Sequence, residues 1–184
     1  MPGVFHPGLF FSTSILLNFL DTFELRGKKV LELGAGTGLL SLVAATKEAV
    51  VTASDISKTA IENIRLNAKQ NNLPIHVIES DLFAALSPSE FDIIVINPPF
   101  YPHDPIHEHE HAWYCGVNHE YFQKLFSQLK ENAADRQLVF MILSEDCDIE
   151  RIRVLAMARG YKMHVEFAET KWFERNYVFR LLPK

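Results

Sequence analysis

Cysteine and basic residues are both scarce in this chain of 184 residues. The two cysteines, Cys115 and Cys147, match no metal-binding spacing and cannot form a disulfide framework, so we expect a reducing, cytoplasmic compartment. Lys and Arg number 18 against 23 Asp and Glu, giving a net charge of −5. Domains that hold nucleic acid by their own field usually carry a basic stripe. That class is excluded, although a nucleic-acid substrate presented by a larger assembly is not.

Charged residues are absent from Met1–Leu20, which makes this segment a candidate signal peptide or membrane span. It lacks a positively charged start and a small-residue cleavage site, and polar residues interrupt it. We therefore predict an entry segment over residues 1–26 that is buried in the protein, and no membrane association. Hydrophobic residues make up 48% of the chain, enough for a full core, and we expect residues 1–184 to form a single domain.

Short β-branched runs alternate with helical patterns along the chain. Continuous apolar runs such as Phe91–Ile96 are typical of strands buried on both faces of a parallel sheet. The predicted strands are Lys29–Glu32, Val50–Ser54, Ile75–Ile78, Phe91–Ile96, Gln137–Leu143, Tyr161–Ala168 and Tyr177–Leu182. The link between the last two is too short for a parallel crossover. The prediction is an α/β, Rossmann-like, doubly wound and mostly parallel seven-stranded sheet with one antiparallel strand near the C-terminus.

A glycine-rich turn follows the first predicted strand, where residues 32–38 have the sequence ELGAGTG. Glycines let the backbone turn sharply and approach a ligand where a Cβ would clash. Asp55 ends the second predicted strand, 19 residues after Gly36, and a carboxylate there can bind both hydroxyls of a ribose. Ligands of open α/β sheets bind at the carboxyl ends of the strands, so the two features predict an adenosine-containing cofactor.

The spacing of these glycines is tighter than in the dinucleotide-binding pattern G-x-G-x-x-G, which offers a pyrophosphate a wider cradle. The E-x-G-x-G-x-G pattern resembles the first motif of class I S-adenosylmethionine-dependent methyltransferases. The resemblance implies S-adenosylmethionine as cofactor, with the turn facing its methionine part. It also implies that Asp81 accepts from the adenine amino group while Leu82 flanks the ring. The cofactor-binding residues so implied are Glu32, Gly34, Gly36, Gly38, Asp55, Ile56, Asp81, Leu82 and Asn97.

The fourth predicted strand is followed by Asn97-Pro98-Pro99-Phe100, and these four are the candidate catalytic residues. The prolines fix the backbone φ angles, so the Asn97 side chain and the Pro98 carbonyl are held as two rigid acceptors. Such a pair suits a planar NH₂ group, whose delocalised lone pair makes it a poor nucleophile. Hydrogen bonds from its two protons would orient that nitrogen for an in-line displacement, with Phe100 stacked on the flat acceptor.

Asn/Asp-Pro-Pro-Phe/Tyr in this position is similar to the motif of N-methyltransferases that act on adenine N6, guanine N2 or glutamine N5. Residues 5–17 resemble the entry segment of the small-domain methyltransferases, and residues 112–118 resemble the HemK-type enzymes. The resemblance implies a protein glutamine or an RNA base amino group as acceptor, and an activating partner subunit, as some minimal HemK-type enzymes require. A non-catalytic, cofactor-binding scaffold subunit is the alternative, and a dehydrogenase is a third hypothesis.

Four histidines follow directly after this motif, within nine residues: His103, His107, His109 and His111. In an α-helix, His107 and His111 would share a face at a metal-ligand spacing. Methyl transfer needs no metal, so we predict no metal site and interpret residues 101–119 as a lid loop with solvent-facing histidines. Metal binding remains the alternative.

Overall fold

The computed structural model describes residues 7–132, 137–171 and 173–184. The helices are α1 (Pro7–Leu20), α2 (Leu39–Thr46), α3 (Lys58–Gln70), α4 (Glu120–Asn132) and α5 (Ile149–Ala158). The strands are β1 (Lys29–Leu33), β2 (Val50–Asp55), β3 (Ile75–Glu79), β4 (Ile93–Ile96), β5 (Leu138–Ser144), β6 (Tyr161–Lys171) and β7 (Glu174–Pro183). Each predicted strand overlaps an observed one, although β4 begins two residues later than predicted and the last two strands are longer.

The strands form one sheet in the order β3-β2-β1-β4-β5-β7-β6. β1 pairs in parallel with both β2 and β4, whereas β7 runs antiparallel to its neighbours β5 and β6. The predicted fold class, with its one antiparallel strand near the C-terminus, is confirmed. The strand order reverses between β1 and β4, and the crevice beyond the carboxyl ends at such a point is where open α/β sheets bind ligands.

A hydrophobic core covers each face of the sheet. Ile94 and Ile96 of β4 belong to the cluster that includes Phe122 of α4, while Ile93 and Val95 belong to the cluster that includes Ile15 of α1. All four β4 side chains are buried, because successive residues of a strand point to opposite faces and both faces are covered. This is why the apolar run showed almost no alternation.

The charge-free N-terminal segment contains helix α1, while residues 1–6 of the predicted entry segment lie outside the described residues. Its buried side chains include Ile15, Leu16 and Phe19, and the Phe19 ring packs edge-on against Phe140 of β5 at a centroid distance of 4.8 Å. Within the described ranges, no helix has the length and apolar character needed to cross a membrane. The packing of α1 on the sheet also carries Ser12 to the end of β4.

Candidate functional site

A cavity of about 1040 Å³ opens at the carboxyl ends of β1, β2 and β4. The predicted site residues that line it are Glu32, Gly34, Gly36, Asp55, Ile56, Asp81, Leu82, Asn97 and Pro99. Three other predicted residues do not line it: Gly38, Pro98 and Phe100. The sheet therefore brings most of the predicted residues together around one space.

The glycine turn after β1 has a left-handed backbone at Gly34, Gly36 and Gly38, with φ angles of 73°, 55° and 74°. A Cβ built on Gly34 or Gly36 would meet no atom within 4 Å, so open space lies in front of both residues. A Cβ on Gly38 would instead lie 3.1 Å from carbon atoms of Ile64 in α3. Gly38 thus serves the close packing of α3 on the turn, and the space in front of the turn is bordered by Gly34 and Gly36.

Asp55, at the end of β2, joins the glycine turn to the beginning of α3. Its Oδ2 accepts from the Gly36 amide at 2.8 Å, and its Oδ1 accepts from the Ser57 amide at 2.8 Å. Carboxylate oxygens are also the acceptors that the hydroxyls of a ribose would need. The carboxylate is half-buried at the cavity wall, in a position that suits the ribose role predicted for it.

Glu32 of β1 is a buried carboxyl beside the cavity. Its Oε2 accepts from both the amide and the hydroxyl of Ser41 in α2, at 2.8 and 2.5 Å. Burial raises the pKa of Glu32 to about 7; the hydrogen bonds from Ser41 act in the opposite direction, and the charge of Asp55 adds to the rise. Glu32 therefore fastens β1 to α2 and takes up a proton near neutral pH.

The turn after β3 places Asp81 and Leu82 on the cavity wall. Asp81 forms an ion pair with Lys124 of α4, and both side chains are about half exposed. Leu82 has a left-handed φ of 53°, and the Ser80 hydroxyl supports this turn by donating to the Leu82 carbonyl at 2.8 Å. A strained non-glycine residue at a cavity is a feature that functional sites often show. The cation next to Asp81 was not predicted from the sequence.

Asn97 lies immediately after β4 and is held by the N-terminal helix. Its Nδ2 donates to Ser12 Oγ at 3.1 Å and to Thr13 Oγ1 at 3.4 Å. Within the described part of the chain its Oδ1 accepts no hydrogen bond, and the residue lines the cavity. The side chain can therefore offer an acceptor oxygen to a ligand, as the sequence predicted.

Phe100 does not line the cavity, so the structure does not place it as the stacking surface that the sequence predicted. Its ring packs against Tyr101, with 4.6 Å between centroids, and against the core cluster on the α4 side of the sheet. The aromatic rings that line the cavity belong instead to Tyr114 and Tyr121. The sequence left Tyr114 open between the mouth of the site and the core, and Tyr121 lies in a helix, where an aromatic residue is usually buried.

Residues 101–119 fold back on themselves and cover one side of the cavity. The Tyr101 amide donates to the Trp113 carbonyl at 3.0 Å, and the Cys115 amide donates to the Tyr101 carbonyl at 2.9 Å. The loop contributes Asp104, Pro105, His111, Ala112, Tyr114, Cys115 and Gly116 to the cavity wall. Burial raises the pKa of the Cys115 thiol to about 11, so this thiol remains protonated at neutral pH.

The histidines of this loop do not adopt the helical arrangement on which the metal alternative depended. Glu108–Ala112 forms a 3₁₀ helix, in which residues three apart are aligned rather than residues four apart. Where side chains are described, no group of three His, Cys, Asp or Glu residues could hold a metal ion; the His109 side chain lies outside that part.

Two cavity residues contact partners that are distant in the sequence: Thr13 is 84 positions from Asn97, and Lys124 is 43 positions from Asp81. The resemblance of residues 5–17 to an entry segment covered Ser12 and Thr13 but did not assign them a contact with Asn97. Lys124 sits in an ordinary amphipathic helix, and its sequence context gives no indication of a site.

Comparison with known proteins gives a family model, described as the methyltransferase small domain, that matches residues 1–137. A candidate protein N5-glutamine methyltransferase of Methanocaldococcus jannaschii is 40% identical over 102 residues, which is 55% of this chain and 49% of that protein. Ribosomal RNA small subunit methyltransferase C of Haemophilus influenzae is 38% identical over 109 residues, which is 58% of this chain and 32% of that protein. The chain thus spans half or less of the length of these relatives.

Solved structures share the fold at low sequence identity. The Mtq2–Trm112 complex of E. cuniculi, described as responsible for the methylation of the eRF1 translation termination factor, gives a TM-score of 0.72 at 21% identity, and the superposition covers 98% of both chains. The T. thermophilus 16S rRNA N2 G1207 methyltransferase, in complex with AdoMet and guanosine, gives a TM-score of 0.68 at 22% identity over 100% of this chain and 44% of that one.

Proposed function

Since the chain belongs to the methyltransferase small domain family, we propose that it transfers a methyl group from S-adenosylmethionine to a planar amide or exocyclic amino nitrogen. One observation carries the proposal: the Asn97 carboxamide oxygen has no partner in the described part of the chain and lines the same cavity as the glycine turn and Asp55. The family model over residues 1–137 confirms the expected membership of the small-domain methyltransferases.

The residues of the cavity fit S-adenosylmethionine. Gly34 and Gly36 border open space that a Cβ would enter, the Asp55 carboxylate lines the cavity where the ribose hydroxyls are expected, and Asp81 lies beyond β3 where the adenine amino group is expected. A volume of about 1040 Å³ is also ample, since ligand pockets typically measure about 300–1,000 Å³. When bound, this cofactor supplies an electrophilic methyl group on a sulfonium centre.

The contribution of the chain to transfer is mainly the placement of the acceptor. Asn97 Oδ1 accepts one N–H of the planar NH₂ group, and the Pro98 carbonyl is proposed as the acceptor for the other. These two bonds favour pyramidalisation and bring the nitrogen lone pair out of conjugation, towards the methyl carbon. The nitrogen loses its proton to solvent as the new bond forms, so no strong general base is required.

We propose glutamine N5 of a protein, or a base amino group in RNA, as the acceptor. The names of the relatives include both classes. A net charge of −5 favours the protein, because RNA binding draws on cationic side chains.

Residues 1–184 would act as one catalytic domain with 101–119 as its lid, and an activating partner subunit is proposed because a structural neighbour was solved as a complex. A non-catalytic scaffold is not favoured, since the relatives are named as methyltransferases.

Methyl-labelled S-adenosylmethionine and a methyl-poor cell extract would test the proposal directly. The purified protein should label the extract, and ribonuclease or protease digestion of the product distinguishes an RNA acceptor from a protein one. If the protein does not bind S-adenosylmethionine in calorimetry, the proposal fails. Binding without any labelling, even in a complete extract that supplies partner proteins, would instead support the scaffold hypothesis.

Asn97→Ala should abolish labelling, because the NH₂ group of the substrate loses its hydrogen bond to the Asn97 oxygen. The affinity for S-adenosylmethionine should stay within about threefold, because the other residues proposed to hold the cofactor are unchanged. Asn18→Ala is the matched control, since Asn18 is exposed on α1 and does not line the cavity. Full transfer activity in Asn97→Ala would contradict the proposed role. Loss of cofactor binding in a folded variant would assign Asn97 to the cofactor alone.

A further inference from the structure

The carboxamide of Asn97 is held by two hydroxyl groups of helix α1. Nδ2 is 3.1 Å from Ser12 Oγ and 3.4 Å from Thr13 Oγ1, so both of its hydrogens have an acceptor on α1. Ser12 is buried, at 5% exposure, and Thr13 lines the cavity. The two hydroxyls therefore face the amide nitrogen, and not the oxygen that is offered to a ligand.

Orientation matters because an asparagine side chain is chemically asymmetric. If the carboxamide flips, its NH₂ group faces the cavity and the hydrogen-bond acceptor for the substrate is replaced by a donor. Rotation about the terminal side-chain bond is soft, so the chain must supply the preference for one orientation. The backbone rigidity of the two prolines does not supply it, since they fix the main chain only.

The hydroxyls of α1 supply that preference through their own hydrogen-bond pattern. A serine or threonine in a helix commonly donates its proton to a carbonyl of the preceding turn, as Ser14 does to the Phe11 carbonyl at 3.0 Å. A hydroxyl that donates in this way leaves its oxygen to accept. Ser12 Oγ and Thr13 Oγ1 both accept from Nδ2, and a flip of the carboxamide would break both bonds and bring Oδ1 against the same two oxygens.

We infer that Ser12 and Thr13 are positioning residues that hold the Asn97 carboxamide with its oxygen towards the cavity. Both partners of the interaction stand on rigid elements: α1 is anchored by buried Ile15 and Leu16, and Asn97 follows the fully buried strand β4. The consequence for methyl transfer rests on the proposed function, while the orientation of the carboxamide does not.

The first test is the double substitution Ser12→Ala with Thr13→Val, which removes both hydroxyls; valine keeps the shape of threonine, and alanine loses only the Oγ atom of serine. It should lower kcat by about tenfold or more, because misorientation by a flip removes the acceptor, and leave the dissociation constant of S-adenosylmethionine within about twofold. Ser14→Ala is the matched control on the same helix, because the Ser14 hydroxyl donates to the Phe11 carbonyl. An unchanged kcat in the double variant would overturn the inference.

The variant Asn97→Asp distinguishes a loss of kcat caused by misorientation of the side chain from a loss caused by a disturbed local structure. A carboxylate presents two equal oxygens, so its flip changes nothing for the substrate. Removing the two hydroxyls should therefore cost far less kcat in the Asn97→Asp background than in the native one. An equal fractional loss in both backgrounds would mean that Ser12 and Thr13 only support the local structure, and the inference would be wrong.

A spectroscopic measurement needs no substrate and decides the case even if no transfer is found. In an NMR spectrum, the two side-chain ¹⁵N–¹H signals of Asn97 are identified as the pair that disappears in Asn97→Asp. Loss of both hydroxyls should shift this pair and speed its exchange with solvent, whereas Ser14→Ala should leave it in place. A pair that does not respond refutes the inference; absence of methyl transfer by the native protein refutes the proposed function alone. If the double variant does not fold, Ser12→Ala and Thr13→Val are measured singly.

Discussion

Asp55 combines two duties in a single residue. Its carboxylate holds the amides of Gly36 and Ser57, one at each oxygen, and it stands at the wall of the cavity. The same bonds that support the turn also fix the carboxylate in place before any ligand arrives. Preorganisation of this kind reduces the entropy that binding must lose.

Asp55→Asn should weaken binding of S-adenosylmethionine by about tenfold or more, because the amide NH₂ opposes one of the two backbone donors and replaces an acceptor for the ribose. Isothermal titration calorimetry measures the change, and circular dichroism checks the fold. Asp92→Asn is the matched control: Asp92 also accepts from a backbone amide, that of Lys29 at 2.9 Å, but does not line the cavity. An equal effect of the two substitutions on affinity would remove Asp55 from the proposed site.

At the scale of elements, the glycine turn between β1 and α2 requires glycine for two separable reasons. Gly36 has a left-handed φ of 55° and borders open space in the cavity. Gly27 has a left-handed φ of 70° and equally open surroundings, but it does not line the cavity. The two residues therefore share the conformational requirement and differ in what lies in front of them.

Gly36→Ala and Gly27→Ala should each lower the free energy of unfolding by about 1 kcal/mol, the usual cost of a left-handed backbone at a non-glycine residue. Only Gly36→Ala should also weaken S-adenosylmethionine binding, because its methyl group enters the space proposed for the cofactor. Urea unfolding and calorimetry on both variants measure the two effects. Similar cofactor affinity in the two variants would show that the ligand does not approach this turn.

At the scale of the whole molecule, Glu32 links the stability of the fold to pH. Its pKa rises from 4.5 to about 7 because the carboxyl is buried, so the folded chain binds the proton more tightly than the unfolded chain. Between those two values the folded state carries more protons than the unfolded state. The contribution of this proton to stability is full below pH 4.5 and is lost as the pH rises through about 7.

Glu32→Gln should remove this dependence, since glutamine is neutral and its oxygen can still accept from the Ser41 amide. The free energy of unfolding of the native protein, relative to the variant, should fall on the order of 3 kcal/mol between about pH 5 and about pH 8. Urea unfolding of both proteins across this range gives the difference directly. A difference that stays constant, or rises with pH, would mean that Glu32 is ionised in the fold throughout.

The order of elements and the fold class were predictable because they depend on local patterns. The run Phe91–Ile96 predicted a strand covered on both faces, and the short link after the sixth strand predicted one antiparallel strand. The bounds were less accurate: β4 starts at Ile93, although the main chain of Asp92 already bonds to Lys29 of β1 and Leu138 of β5. Such ends depend on pairing with neighbouring strands, and the local sequence does not contain that information.

By itself, the sequence determined the glycine turn, the acidic residues after β2 and β3, and Asn97 after β4. Strand ends and turns follow from the chemistry of a few adjacent residues, so motifs could locate them. Tertiary structure alone decided that Phe100 packs into the core, that Lys124 pairs with Asp81, and that Ser12 and Thr13 hold Asn97. Those contacts join residues far apart in the chain, and only the packing of α1 and α4 on the sheet fixes which side chains meet.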